Sequence, residues 1–175
     1  DTGVGTTILS DPEIAKKLNL TSVRKIRVNG VGMGESITAN IVIDVRMSIG
    51  EAQANRQSII FLDTDVLDLS SFVGTKIHGI IGADLFNNLV VTIDYLNRKI
   101  ELRYPNNYKY RPIKGLQFPI TILDNKPYIQ GVNLTNKRST TSDLLLLDSG
   151  AGHAFSIEGQ TGDTTKFHLS KYQFQ

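Results

Sequence analysis

Two copies of one short signal constrain this chain more than any other feature. Asp1-Thr2-Gly3 and Asp148-Ser149-Gly150 each set a carboxylate beside a hydroxyl and a glycine. A chain that carries the signal twice can bring two such loops face to face. Two carboxyl groups at hydrogen-bonding distance cannot both ionise, so the pair holds one proton over a useful pH range. One member then serves as base toward a water while the other serves as acid toward a substrate carbonyl. The Thr or Ser hydroxyl can brace one loop against the backbone of the other, and the glycine admits close approach where a Cβ would intrude. A single Asp-Thr/Ser-Gly arises by chance in roughly one chain in ten of this length, and its plain alternative is an ordinary turn, so the weight rests on the pair. The copies also agree beyond the triplet, because Val4-Gly5 and Ala151-Gly152 each continue with a small apolar residue and then glycine. The apolar run Leu144-Leu145-Leu146-Leu147 reads as a buried strand that delivers Asp148 to its end.

Composition narrows the classes. With 175 residues, 40% hydrophobic and 21% charged, the chain reads as soluble and globular, with room for one good core or two small ones. No stretch approaches the roughly 20 apolar residues of a membrane span, and the opening residues do not read as a signal peptide. A net charge of +2 without a basic stripe and interleaved aromatics argues against nucleic acid as a partner. The absence of cysteine excludes disulfides and thiol chemistry. Asp1 has no strand before it comparable to the one before Asp148, which predicts further chain upstream, and Lys171-Tyr172-Gln173-Phe174-Gln175 stops within an alternating, strand-like pattern.

Along the chain, Ser10-Asp11-Pro12-Glu13 is a helix start, with Ser10 as N-cap and Glu13 as its capping-box partner. Ile14, Ala15 and Leu18 share one face, and the helix should end near Asn19. Alternation then predicts strands around Val23, over 25–28 and over 37–45, about the Gly-rich tip Asn29-Gly30-Val31-Gly32-Met33-Gly34. A strand over 58–62 leads through acidic Asp63-Thr64-Asp65-Val66-Leu67-Asp68 to a turn at Gly74. His78-Gly79-Ile80-Ile81-Gly82 precedes a short helix over 83–86, and 90–95 with 99–102 forms a hairpin turning at Leu96-Asn97-Arg98. A polar stretch containing Pro105 and Pro112 reads as a linker. Beyond it lie strands over 118–123 and 128–134, separated by a turn at Asp124-Asn125-Lys126-Pro127.

These residues resemble the retropepsin-like aspartic proteases, and more narrowly the bacterial aspartyl proteases that carry two retropepsin-like units in one chain. The resemblance rests on ordered parts: Asp1-Thr2-Gly3, the flap-like hairpin Val28-Asn29-Gly30-Val31-Gly32-Met33-Gly34, and Gly79-Ile80-Ile81-Gly82 before a short helix. It covers residues 1–103 and, in the second unit, about 116–158. It implies an all-β, bilobal, retropepsin/pepsin-like acid protease barrel with short helices. The expected lobes are 1–103, without its leading strand, and an incomplete 116–175, joined by a linker over 104–115. No second flap or second apolar-apolar-Gly element follows Glu158, so such a fragment could be inactive.

The expected activity is an aspartic endopeptidase, a hydrolase acting on a peptide or protein substrate without metal or other cofactor. Asp1 and Asp148 are the catalytic candidates, Thr2, Gly3, Ser149 and Gly150 brace the loops, and Gly30, Val31, Gly32, Met33 and Gly34 close over the substrate. The resemblance gives Ile80, Ile81 and Gly82 the role of packing beside the first catalytic loop. A Ser or Thr at the fourth position of either copy would donate to the carboxylates and favour their ionised form; Val4 and Ala151 cannot. This predicts an activity optimum at weakly acidic to neutral pH, and a rate profile peaking below about pH 3 would contradict it.

Other chemistries find weaker support. His78, His153 and His168 lack the HExxH spacing of a zinc protease and read as structural or exposed. Ser149 and Ser156 do not sit in Gly-x-Ser-x-Gly. Asp63, Asp65 and Asp68 lack the EF-hand spacing and read as a solvated acidic loop. The alternative function is a non-catalytic peptide-binding module of the same fold, holding an extended chain by strand-like pairing. A bilobal monomer is favoured over a homodimer of first units because Asp148 already offers Asp1 an intrachain partner. Similar bacterial proteins are often exported, so the resemblance leans toward a periplasmic or secreted location.

Overall fold

A computed structural model describes residues 1–28, 36–109, 115–131 and 144–154. The fold is mostly β, with a few short helices. The larger sheet has the order β2-β3-β4-β1-β5, built from β1 (Ile8–Leu9), β2 (Arg24–Val28), β3 (Ile37–Ile49), β4 (Ala52–Leu62) and β5 (Gly79–Ile80). A hairpin of β6 (Val90–Asp94) and β7 (Lys99–Arg103) and a three-stranded sheet of β8 (Thr121–Leu123), β9 (Lys126–Gln130) and β10 (Leu144–Leu146) complete it. Among the described residues these sheets are open and none closes into the expected barrel.

The short strand β1 organises the site. It runs parallel to β4, with Ile8 opposite Ile60, and antiparallel to β5, with Ile8 opposite Ile80. The chain leaving the first triplet is thereby fixed beside the segment that carries Ile80, Ile81 and Gly82. Behind it Ala15, Val42, Ile59 and Phe61 form a buried cluster, against which Leu9, Leu20, Val45 and Met47 pack.

The helix α1 (Pro12–Lys17) forms where its start signal lies, but its cap differs from expectation. Asp11, not Ser10, is the N-cap: its Oδ1 accepts the Glu13 N–H at 2.9 Å. Ser10 is fully buried, because its own N–H donates to the His78 carbonyl at 2.9 Å at the edge of the β1–β5 pairing. The helix ends sooner than expected, with Leu18 as C-cap, and Leu18 is 60% exposed rather than on the buried face. Asn19 turns the chain away with φ 50°, and Leu20 takes the inward position.

The hairpin of β3 and β4 is longer than the alternation predicts. Its register shifts where Asp44 and Arg56 adopt left-handed backbone, with φ 58° and 55°. Such bulges insert residues that break the two-residue period, so 43–44 and 55–56 are both exposed pairs in the middle of continuous strands. The short helices α2 (Leu69–Val73) and α3 (Ala83–Phe86) follow, α2 ending at Gly74 with φ 75°. In the expected linker, Pro105–Asn107 forms a single 3₁₀ turn, and the Arg103 guanidinium lies 5.9 Å from the Tyr108 ring centre.

Two expectations for the second unit need correction. The turn after β8 consists of Asp124 and Asn125, with φ 47° and 64°, while Lys126 and Pro127 belong to β9. Pro127 pairs with Ile122 and uses its carbonyl to accept the Leu147 N–H at 2.9 Å. The run over 144–147 does form a strand, β10, but not a buried one. Leu144, Leu146 and Leu147 are 47%, 38% and 37% exposed, because among the described residues this thin sheet has no layer packed over both faces.

Three hydrogen-bonded, partly buried carboxylates make folding acid-sensitive. His78 holds Asp11 below its ordinary value chiefly through a side-chain hydrogen bond, the Asn97 amide does the same for Asp94, and Lys99 does so for Glu101. A carboxylate whose folded pKa is depressed contributes stability above its unfolded value, here 3.8 for Asp and 4.5 for Glu, and loses it as pH falls through the folded value. Thermal melts between about pH 6 and about pH 2 should give a Tm that falls once pH drops below about 4.5. A Tm that holds or rises there would contradict this linkage.

Candidate active site

The first triplet is tied to the segment expected beside it. The Asp1 nitrogen donates to the Ile81 carbonyl at 2.8 Å, and the Ala83 N–H donates to the Val4 carbonyl at 2.8 Å. Ile80, Ile81 and Gly82 therefore flank the first loop in space.

The second triplet leaves β10 and meets the first across three hydrogen bonds. The Thr2 hydroxyl donates to the Leu147 carbonyl at 2.6 Å and accepts the Ser149 N–H at 2.9 Å. The Thr2 N–H in turn donates to the Ser149 hydroxyl at 3.1 Å. Both hydroxyl-bearing residues are thus used across the seam, in residues 147 positions apart in the chain.

The carboxyl groups repeat one geometry. The Gly3 N–H donates to Asp1 Oδ1 at 2.8 Å, and the Gly150 N–H donates to Asp148 Oδ1 at 2.8 Å. Each carboxyl also lies against the glycine of the opposite triplet. A Cβ placed on Gly3 would stand 2.5 Å from Asp148 Oδ2, and one on Gly150 would stand 2.5 Å from Asp1 Cγ, distances that only glycine permits. In both cases Oδ2 is nearer than Oδ1. Each carboxyl is thus anchored through Oδ1 to a backbone donor of its own loop and rests on the glycine of the other.

Beside the paired loops an apolar groove runs between β6 and β8, lined by Phe86, Val91, Ile93, Ile122 and Leu147 as well as Thr2. The expected flap tip, Gly30, Val31, Gly32, Met33 and Gly34, lies outside the described residues. Its flanking strands are paired up to Val28 opposite Ile37. His168 and Ser156 also lie outside the described residues. His153 is exposed, whereas His78 Nδ1 is bonded to Asp11 Oδ2 at 2.8 Å. In the acidic loop, Asp63 accepts from Asn40 at 2.8 Å and from Lys25 at 3.5 Å. No group of three or more acidic, His or Cys side chains is placed to hold a metal among the described residues. Nor is any helix there long and apolar enough to cross a membrane.

Sequence reasoning passed over Thr7 and Asp84, which fasten the first loop to α3. The Thr7 N–H reaches Asp84 Oδ2 at 3.0 Å, its hydroxyl reaches Asp84 Oδ1 at 2.9 Å, and that hydroxyl accepts the Gly82 N–H at 3.0 Å. An acidic residue two positions after Ile81-Gly82, in the first turn of a short helix, was the available signal.

No family model matches this chain, and neither the curated proteins nor the solved structures yield a match.

Proposed function

We propose that this chain is an aspartic endopeptidase of retropepsin-like fold, with Asp1 and Asp148 as its catalytic pair. The observation that supports this reading is the crossed packing of the two triplets, in which each carboxyl rests on the glycine of the other loop. An ordinary pair of turns has no reason to exclude a Cβ at both glycines. In the proposed reaction the ionised member removes a proton from water as the water oxygen bonds to the peptide carbonyl carbon. The protonated member gives its proton to the carbonyl oxygen, forming a neutral tetrahedral diol. Collapse of the diol breaks the C–N bond, with a proton delivered to the departing nitrogen, and the pair returns to sharing one proton.

The test is cleavage of a peptide library in ¹⁸O-labelled water. Direct attack by water places one ¹⁸O in each new carboxyl terminus within a single turnover, with no acyl-enzyme trapped by quenching. Trapping of an acyl-enzyme would overturn the proposal. Saturable binding of extended peptides by folded protein, without cleavage at any pH between about 3 and 8, would replace it with the peptide-binding module.

A further inference from the structure

We infer that Asp84 is a positioning residue for the catalytic pair, acting through Thr7 to hold the first catalytic loop rigid. This rests on the proposed proteolytic reading. The Asp84 carboxylate accepts three hydrogen bonds: Oδ2 takes the Thr7 N–H, and Oδ1 takes both the Thr7 hydroxyl and the Leu85 N–H, the latter at 2.9 Å. Thr7 is 6% exposed, and its hydroxyl both donates, to Asp84, and accepts, from Gly82. Residues 1–7 are therefore clamped to 81–84 at three points: Asp1 to Ile81, Val4 to Ala83, and Thr7 to Gly82 and Asp84. A buried hydroxyl wired on both sides leaves little freedom for the backbone that carries it.

Among the described residues the second loop shows no such clamp of its own. The residue that corresponds to Thr7 in the second copy is Ala154, which has no hydroxyl and is exposed. Its inventory of cross-contacts is instead with the first loop, through Thr2 and Ser149. Those bonds register the second loop against the first. Loss of the Asp84 clamp would blur the position of both carboxyls at once.

The test compares Thr7→Val, which removes the hydroxyl at nearly constant shape, with Asp84→Asn and Thr7→Ser. Thr7→Val and Asp84→Asn should lower kcat by about tenfold to about a hundredfold while KM stays within about twofold. Thr7→Ser, which keeps the hydroxyl, should retain kcat within about threefold of the parent. In the same proteins, amide hydrogen exchange over residues 1–7 should accelerate in Thr7→Val and Asp84→Asn, while the β6–β7 hairpin exchanges as in the parent. Unchanged kcat in an active parent background, or unchanged exchange over residues 1–7, overturns the inference. A folded parent that cleaves nothing defeats the proteolytic reading instead, and the exchange comparison then decides the clamp by itself. Should Thr7→Val not fold, Asp84→Asn carries both readouts.

Discussion

Asp148→Asn is expected to lower kcat by at least about 10³-fold with the fold and peptide binding retained. Asparagine keeps the shape of the side chain and an oxygen to accept the Gly150 N–H, now at 2.8 Å from Oδ1, so the loop need not move. What it removes is the shared proton. Asp1→Asn should cost the same, because its Oδ1 is held in the same way by Gly3 and neither carboxyl can serve as base and acid together. The double variant should be no slower than either single one, since a unit already broken cannot be broken again. Single-turnover cleavage by the three variants measures this directly. Full activity in Asp148→Asn, with loss confined to Asp1→Asn, would show that the pair forms between two copies of the first unit. Equal peptide cleavage by all three would remove the pair from the chemistry altogether.

The parts of this molecule that were legible in the sequence are those whose signal is local. The triplets, the helix start near Pro12, the turn at Gly74 and the hairpin turning at Asn97 each depend on residues within a few positions of one another. The β3–β4 hairpin was legible only in part, because left-handed Asp44 and Arg56 interrupt the alternation that identifies a strand. Ser10 was read as the cap from its local pattern, yet Asp11 takes the Glu13 N–H, while Ser10 is buried beside the distant His78, whose carbonyl accepts both the Ser10 and the Asp11 N–H. The Leu run before Asp148 named a strand correctly but overstated its burial, since composition cannot say what packs on a sheet. In the site the same division holds. The residue types announced a pairing of loops, yet the bond from the Thr2 hydroxyl to the Leu147 carbonyl, and the whole Asp84–Thr7–Gly82 connection, exist only after the chain has folded back on itself.

Gly3→Ala and Gly150→Ala should each abolish most activity without touching a catalytic atom, by about 10²-fold or more. The added methyl of Gly3→Ala would lie 2.5 Å from Asp148 Oδ2 and 2.8 Å from its Oδ1; that of Gly150→Ala would lie 2.5 Å from Asp1 Cγ and 3.0 Å from its Oδ1. Carbon and oxygen cannot approach so closely, so the carboxyl of the opposite loop must rotate or the seam must open. Rotation would pull that carboxyl away from the backbone N–H that anchors its Oδ1, and opening would stretch the Thr2–Ser149 bonds. Either response separates the two groups that must share a proton, and overpacking at the seam should cost about 1–3 kcal/mol of stability as well. Gly152→Ala supplies the control, because no described residue lies within 4 Å of a Cβ at that position, only two residues beyond Gly150. It should leave Tm and kcat unchanged. Matched thermal melts and cleavage rates separate the cases: an alanine at position 3 or 150 that is as active as the one at 152 would mean that the close approach of the loops has no part in the chemistry.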